Sequence, residues 1–484
     1  MVTGVNEAAE TSRTFPRTRL LIAGAVVFGA AVAGWFVFNI LSGPNGATHD
    51  VDLTVYRDGG LIVRGVMPGY HPSTGTPLYG WGGYSALALK FTYPPFAAVA
   101  FAPLSLLSPP HLLVFSIIVN MLALPAALWC AFGGLSRQDQ PAARYLRDPR
   151  IRLGATLLAA GITFWLQPAI RTVYLGQVNL VLMAMIMWDL CQPDTARSRW
   201  WKGFATGIAA GIKLTPLIFI PYLLITRRFR EAAMAVAGFV FTVVVGFAVL
   251  PGDSAAWWLP PKMLIIADGT RTGFIGWAGN QSLRAVITRF AGSVAAGQDP
   301  WLVACVIAGV AGLAAAYLFD RAGHRVVAIL VTALTGLLLS PISWDHHWVW
   351  ITLGIAVAGY YALAVADNSK KRWALLSLAA LMIIVYGPWP DALWEKARNL
   401  DKFSLGFLWA PPNTNPQQYT LHGDQSSFVE YHWHGLWLLT GNAYILGGTA
   451  LTVTLVIVAL RLRRAGKSSR IAPETSEPAH TVSS

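Results

Sequence analysis

Residues 20–42 read LLIAGAVVFGAAVAGWFVFNILS, a run without a charged side chain. About 20 apolar residues in a helix cross the hydrocarbon core of a bilayer, so this run reads as a membrane span. It is too long for the apolar region of a cleavable signal, and no A-x-A-like site follows it at the expected place. Similar runs recur at about 111–133, 153–170, 232–250, 301–319, 326–340, 348–366, 373–389 and 443–460. Stretches 178–191 and 203–226 are less regular. The latter carries Lys213 and Pro216 near its middle, which predicts two half-helices meeting at a polar pocket. Composition agrees: of 484 residues, 55% are hydrophobic and only 12% charged, with 20 Trp and a mean hydropathy of +0.51. A soluble domain has roughly 25% charged residues, so a disordered chain or a water-soluble enzyme is excluded. An outer-membrane barrel would alternate polar and apolar residues, whereas these runs are continuous. The expectation is an all-α polytopic integral membrane protein with about 10–13 transmembrane helices, short external loops and interfacial helices.

The net charge of +13 is clustered rather than spread. Arg13, Arg17 and Arg19; Arg144, Arg147, Arg150 and Arg152; Arg197, Arg199 and Lys202; Arg227, Arg228 and Arg230; Lys370, Lys371 and Arg372; and Arg461, Arg463, Arg464 and Lys467 all sit between apolar runs. That is the positive-inside pattern of cytoplasmic loops, and with no basic groove interleaved with aromatics it gives no nucleic-acid footprint. It divides the chain into a cytoplasmic tail 1–19, a membrane domain 20–464 and a disordered cytoplasmic tail 465–484. Segments 43–92, the first external loop, and 390–435, a long external loop, then face outward with 171–177, 251–284 and 341–347. They carry Asp50, Asp52, Asp58, Asp268, Asp345, Asp391 and Asp424, and also His49, His71, His346, His347, His422, His432 and His434. Segment 93–107 has to be re-entrant or interfacial to keep the basic loop 137–152 inside. Cys130, Cys191 and Cys305 lie in or at the end of apolar stretches as small core residues, with neither disulfide nor metal spacing.

Polar groups within or beside these runs are the candidates for chemistry. Asp50 and Asp52 follow the first span, at the membrane surface. Each reads either as a cap of an interfacial helix or as a general base whose partial desolvation favours proton uptake; the cap reading leads for Asp50. Tyr93-Pro94-Pro95-Phe96 breaks any helix, and Tyr93 is read both as part of that break and as a substrate contact. Gln177 and Asn179, near Arg171, need partners at their depth, which a sugar hydroxyl or a neighbouring helix would supply equally. Lys213 is an ammonium inside an apolar run and marks a phosphate or carboxylate site, with snorkelling as the bland alternative. In Asn280-Gln281-Ser282-Leu283-Arg284, Ser282 reads as a helix cap and Arg284 as a bidentate phosphate ligand. Trp344-Asp345-His346-His347-Trp348 suits a sugar site, with indoles to stack and imidazoles to donate. Adjacent histidines on a regular helix do not converge on one ion, so no metal is assigned.

Taken in order, Asp52-Leu53-Thr54-Val55-Tyr56, Tyr93-Pro94-Pro95-Phe96, Gly176-Gln177-Val178-Asn179, Lys213-Leu214-Thr215-Pro216, Asn280-Gln281-Ser282-Leu283 and Ser340-Pro341-Ile342-Ser343-Trp344-Asp345-His346-His347-Trp348 resemble glycosyltransferase family 87. This is a family of actinobacterial GT-C membrane enzymes that includes the α-(1→2)-mannosyltransferases of phosphatidylinositol mannoside and lipoarabinomannan synthesis. The resemblance spans about residues 50–350; segment 390–435 matches nothing. It implies a GT-C fold and an active site facing the exterior of the cytoplasmic membrane. It also implies transfer of mannose, with inversion, from polyprenyl-phosphate-mannose to a lipid-linked glycan acceptor, without a cofactor. Asp52 matches the catalytic base of GT-C enzymes. Tyr56, Tyr93, Gln177, Asn179, Lys213, Asn280, Gln281, Arg284, Trp344, Asp345, His346 and His347 form the substrate-binding set, with membrane lipids around it. The nearest rival is arabinofuranose transfer from decaprenyl phosphate. A transporter or flippase is disfavoured by the absence of inverted repeats.

Overall fold

The computed structural model describes residues 17–41, 51–67, 77–80, 91–197, 200–259, 275–365, 368–388, 406–412 and 428–471. Its principal helices are α1 (Arg17–Leu41), α2 (Val51–Val63), α3 (Pro77–Gly80), α4 (Pro95–Phe101), α5 (Pro109–Leu135), α6 (Pro149–Phe164), α7 (Gln167–Leu175), α8 (Asn179–Leu190) and α9 (Phe204–Ile212). They continue as α10 (Phe219–Ile225), α11 (Phe229–Val249), α12 (Pro251–Trp258), α13 (Leu283–Ala291), α14 (Val294–Arg321), α15 (Arg325–Leu339), α16 (Trp350–Ala364), α17 (Ser369–Tyr386) and α18 (Ala443–Ile471). Among the described residues there is no strand; one antiparallel bridge joins Asn280 to Trp344. The protein is an all-α polytopic membrane protein.

Among the described residues six helices are long and apolar enough to cross a bilayer: α1, α5, α11, α14, α16 with the turn before it, and α18. The pair α6–α7 makes a seventh, bent by 81° where Leu166 is extended ahead of Pro168. The larger number expected from hydropathy counted segments that fold as shorter pieces. Runs 178–191 and 326–340 become α8 and α15, of 12 and 15 residues, about 18 and 23 Å at 1.5 Å per residue. The run 203–226 is broken at Lys213, as its sequence predicts: α9 stops at Ile212, Lys213 is extended (φ −147°, ψ 125°), and a 3-10 turn Thr215–Ile218 leads into α10. Segment 93–107 holds only α4 and a 3-10 turn, too short to cross. Helix α18 continues to Ile471, past the start of the expected tail at 465. His49, Asp50, His71, Asp268, Asp391, His422, Asp424 and most of segment 390–435 lie outside the described residues.

Burial sorts the helices. Every residue of α15 from Val326 to Leu338 is buried, as is all of α7; α15 is apolar nearly all round, whereas α7 also buries Gln167, Arg171 and Thr172. Helix α14 instead turns Val303, Val306, Ile307 and Val310 outward. At one end of the bundle, ion pairs join Arg17 to Asp148 (3.0 Å), Lys202 to Asp194 and Glu231, Arg228 to Asp320 and Arg325 to Glu231. Lys202 and Arg228, from two of the basic clusters, therefore meet the start of α15 through Glu231.

Between membrane helices, close approach replaces hydrophobic drive, and small residues permit it. Gly154 on α6 lies so near α1 that a Cβ there would sit 2.8 Å from the backbone of Leu20 and Leu21; at Gly161 it would meet the Phe28 nitrogen at 2.8 Å. Trp165 fastens the same pair by donating from Nε1 to the Ala31 carbonyl (3.2 Å). Gly154→Leu should force α1 away from α6 and cost about 1–3 kcal/mol, read as a lower melting temperature in detergent. Gly29→Leu, where a Cβ meets nothing within 4 Å, should leave the melting temperature close to that of the parent.

Candidate active site

Asp52 stands in the first turn of α2, and the helix is laid along α4 and the turn that follows it. Two glycines allow that contact: a Cβ at Gly59 would lie 2.7 Å from the Phe91 ring, and one at Gly60 would lie 2.8 Å from the Phe101 carbonyl oxygen. Leu53, beside Asp52, fills the space over Gly176, which ends α7 with φ +67°. A side chain at 176 would be strained by that φ and would collide with Leu53 at 2.6 Å. So the left-handed turn after α7, which leads into Gln177 and Asn179, packs against the residue next to Asp52.

Below it, three side chains form a closed ring of hydrogen bonds. The Tyr56 hydroxyl donates to Gln177 Oε1 (2.7 Å), Gln177 Nε2 donates to the Tyr93 hydroxyl (3.2 Å), and Tyr93 donates to Tyr56 (2.9 Å). Tyr56 also stacks on Phe101 at 4.4 Å. Burial, and after it the Asp52 carboxylate, push the Tyr93 phenol up, so it stays a neutral donor.

Lys213 is the hub of the other side. With its ammonium as donor, Nζ reaches Asn179 Oδ1 and His347 Nε2, both at 2.8 Å, and lies 6.0 Å from the Tyr93 ring centre. His347 thus accepts as a neutral imidazole carrying its proton on Nδ1. Asn179 Nδ2 donates to the His346 carbonyl (3.0 Å), which also accepts from Thr172 (3.2 Å). The Asp52 carboxylate acts electrostatically on Lys213, Tyr56 and Tyr93. Tyr93, Lys213 and His347 open onto a cavity of about 350 Å³ walled also by Pro94, Thr215, Trp257, Ser340, Pro341 and Trp344. That size and mixture of aromatic faces with a few polar groups suits a sugar.

Asp345 faces away from this cavity. It takes an ion pair from Arg171 (2.9 Å) and hydrogen bonds from Gln167 Nε2 (2.6 Å) and His346 Nδ1 (3.1 Å), fully enclosed, while Tyr444 donates to Gln167 Oε1 (3.0 Å). The two adjacent histidines therefore serve different partners. Gln167 and Arg171 were missing from the substrate set although their signal is in the sequence: two polar residues four apart within an apolar stretch share a helix face.

Asn280, Gln281 and Arg284 are placed as struts. Asn280 accepts the Ser343 amide N–H and donates to the carbonyls of Ile275 and Pro341. Gln281 donates to the carbonyls of Ala278 and Gly441 and accepts from the Ile445 amide. Arg284 donates to Gln298 and lies over Trp301 at 4.6 Å, outside the cavity wall. Ser282 caps α13 by accepting the Ala285 N–H (3.1 Å), as its residue type predicts. Arg289, which the sequence reading passed over, ties the same region together: it donates to Asn442 and to the carbonyls of Gly276, Trp277 and Asn280.

Comparison with known proteins identifies the family. The family model described as glycosyltransferase family 87 matches residues 91–341, a stretch that contains Tyr93, Gln177, Asn179 and Lys213. The chain belongs to glycosyltransferase family 87. It is 36% identical to a polyprenol-phosphate-mannose-dependent α-(1-2)-phosphatidylinositol pentamannoside mannosyltransferase of Mycobacterium tuberculosis, over 72% of this chain and 75% of the relative. A protein of the same description from Mycolicibacterium smegmatis is 36% identical over 73% and 80%. A phosphatidylinositol mannoside mannosyltransferase of M. tuberculosis is 32% identical over 65% and 72%.

In this family 87 glycosyltransferase the Arg171–Asp345 pair is a scaffold contact with a large penalty for breaking it. Asp345→Ala leaves a guanidinium buried without its counter-ion, a loss of about 3–5 kcal/mol. The expected result is a sharp fall in melting temperature, larger than that of Asp345→Asn, which keeps a polar acceptor for Gln167.

Proposed function

We propose that the protein transfers mannose from a polyprenyl-phosphate donor to a lipid-linked mannoside, with Asp52 as general base. The observation that carries this reading is an ammonium, Lys213, on the wall of an aromatic-lined cavity, with the Asp52 carboxylate near enough to act on it electrostatically. The relatives' dependence on polyprenol-phosphate-mannose supports the donor, and their phosphatidylinositol mannoside substrates support the acceptor class.

The roles follow from charge. Asp52 takes the proton of the acceptor hydroxyl as its oxygen bonds to the anomeric carbon. The bond from that carbon to the phosphate oxygen breaks, and polyprenyl phosphate departs with the bonding pair. A phosphate monoester has a second pKa near about 6, so it leaves well without a proton if a cation faces it; Lys213, held by Asn179 and the neutral His347, is placed for that. Among the described residues the cavity wall holds no Asp or Glu, and Asp345 is held by Arg171. A double displacement needs a second carboxylate as nucleophile, so a single displacement with inversion fits these groups better. Arg284, enclosed against Trp301, is left out of phosphate binding in this reading. The positive-inside rule puts the basic end of the bundle in the cytoplasm and the site on the outer face of the plasma membrane.

The test is direct: purified protein in lipid, polyprenyl-phosphate-mannose, and a phosphatidylinositol mannoside acceptor. Wild type should yield an extended mannoside; product only from decaprenyl-phosphate-arabinofuranose would overturn the mannose assignment. Asp52→Asn should lower kcat by about 10²–10⁴, and Lys213→Ala by about 10²–10³. Near-parental turnover in Asp52→Asn would remove it as the base.

A further inference from the structure

We infer that Asp253 is a positioning residue of the transfer site, holding α3 against α12 so that Tyr79 fixes the backbone of Tyr93. The inference rests on the site described under the proposed function, and it concerns residues that lie outside every motif of the resemblance.

Asp253 is fully enclosed, on the first turn of α12. A buried carboxylate is costly unless it is paired. Among the described residues no cation acts on it, and what it receives are two backbone N–H groups of α3, from Leu78 to Oδ1 at 3.0 Å and from Tyr79. One turn along α12, on the same face, Trp257 stacks on the Tyr79 ring at 5.2 Å and 26°. Asp253 and Trp257 thus grip the backbone and the side chain of one four-residue helix, across 175 positions of sequence. Tyr79 passes the constraint on: its hydroxyl donates to the Tyr93 carbonyl at 2.7 Å. The Tyr93 hydroxyl closes the ring with Tyr56 and Gln177 below Asp52, and both Tyr93 and Trp257 wall the cavity. Tyr93 lies just ahead of α4, which Pro95 opens with Pro94 as its cap, and the Tyr93 carbonyl is outside the helix's own hydrogen bonds. The Tyr79 hydroxyl is its donor. Removing the anchor releases α3 and, with it, a wall of the cavity.

Burial pushes the Asp253 carboxyl up to about 6, against about 3.9 for a free Asp. A carboxyl raised in the folded state adds stability below its unfolded value, and that share is lost as pH rises through the folded value. Among the described residues the helices packed most closely on α12 are α11, α3 and α4; α3 and α4 carry no charged residue, α11 carries its charges, Arg230 and Glu231, at the end away from α12, and Tyr79 is the titratable side chain in contact there.

Three variants in lipid test the inference: Asp253→Ala, Asp253→Asn and Tyr79→Phe. Asp253→Ala should speed hydrogen exchange in a peptide covering 77–80 and lower kcat about tenfold to a hundredfold. Asp253→Asn keeps an oxygen acceptor for the Leu78 N–H and should restore both, with a melting temperature that rises relative to wild type as pH goes from 5 to 7. Tyr79→Phe keeps the ring on Trp257 but loses the bond to Tyr93; it should lower kcat while leaving exchange at 77–80 slow. It remains informative if Asp253→Ala fails to fold. Parental kcat in both Asp253→Ala and Tyr79→Phe, or unchanged exchange in Asp253→Ala, overturns the inference. A wild-type protein that moves no mannose overturns the donor assignment instead, and the exchange data still decide the role of Asp253.

Discussion

An ammonium in the middle of an apolar stretch is the constraint on which the site depends. Lys213 cannot continue α9 and stay dry without partners, and the chain answers by turning extended at that residue. The break leaves α9 and α10 as half-helices and frees the side chain to reach Asn179 and His347. Each of those partners is itself fixed. Asn179 begins α8 immediately after the left-handed turn at Gly176, and His347 sits in the short 3-10 turn that opens α16. Three chain segments therefore meet at one charge, and the aromatic-walled cavity is the space they leave beside it.

A second polar centre keeps that junction rigid. The Arg171–Asp345 pair with Gln167 and Tyr444 fills the region behind His346, so the turn carrying both histidines is held on one side by an ion pair and on the other by Lys213. A buried pair of this kind adds little net stability, but it fixes the orientation of adjacent groups. The consequence is a division of labour between neighbours in sequence: Asp345 and His346 face the scaffold, and His347 faces the cavity.

Much of this was legible in the chain. Hydropathy marked the helices, the break at Lys213 followed from an intramembrane cation beside Pro216, and Ser282 was recognised as a cap from its position ahead of α13. The number of full crossings was less legible, because apolar character records burial in protein as readily as burial in lipid. Helix α15 is apolar on every side since other helices surround it, and at 15 residues it is shorter than a span. Asn280 and Gln281 illustrate the complementary gap. Amides in an external loop suit a sugar or a carbonyl equally well, and here backbone carbonyls and amides of distant segments use their polar atoms.

The sequence by itself determined the class of protein, the end of the bundle where cations gather and the residues at which polar chemistry had to be accommodated. Those properties depend on neighbours along the chain: runs of apolar residues, prolines, capping side chains. Only the tertiary structure decided which polar groups meet. Tyr56 finds Gln177 across 121 positions, Lys213 finds His347 across 134, and Asp253 finds Leu78 across 175. A side chain's type limits the partners it accepts, but the choice among them is made by which helices pack together. That packing rests on close contacts such as Gly154 against α1, which no local pattern encodes.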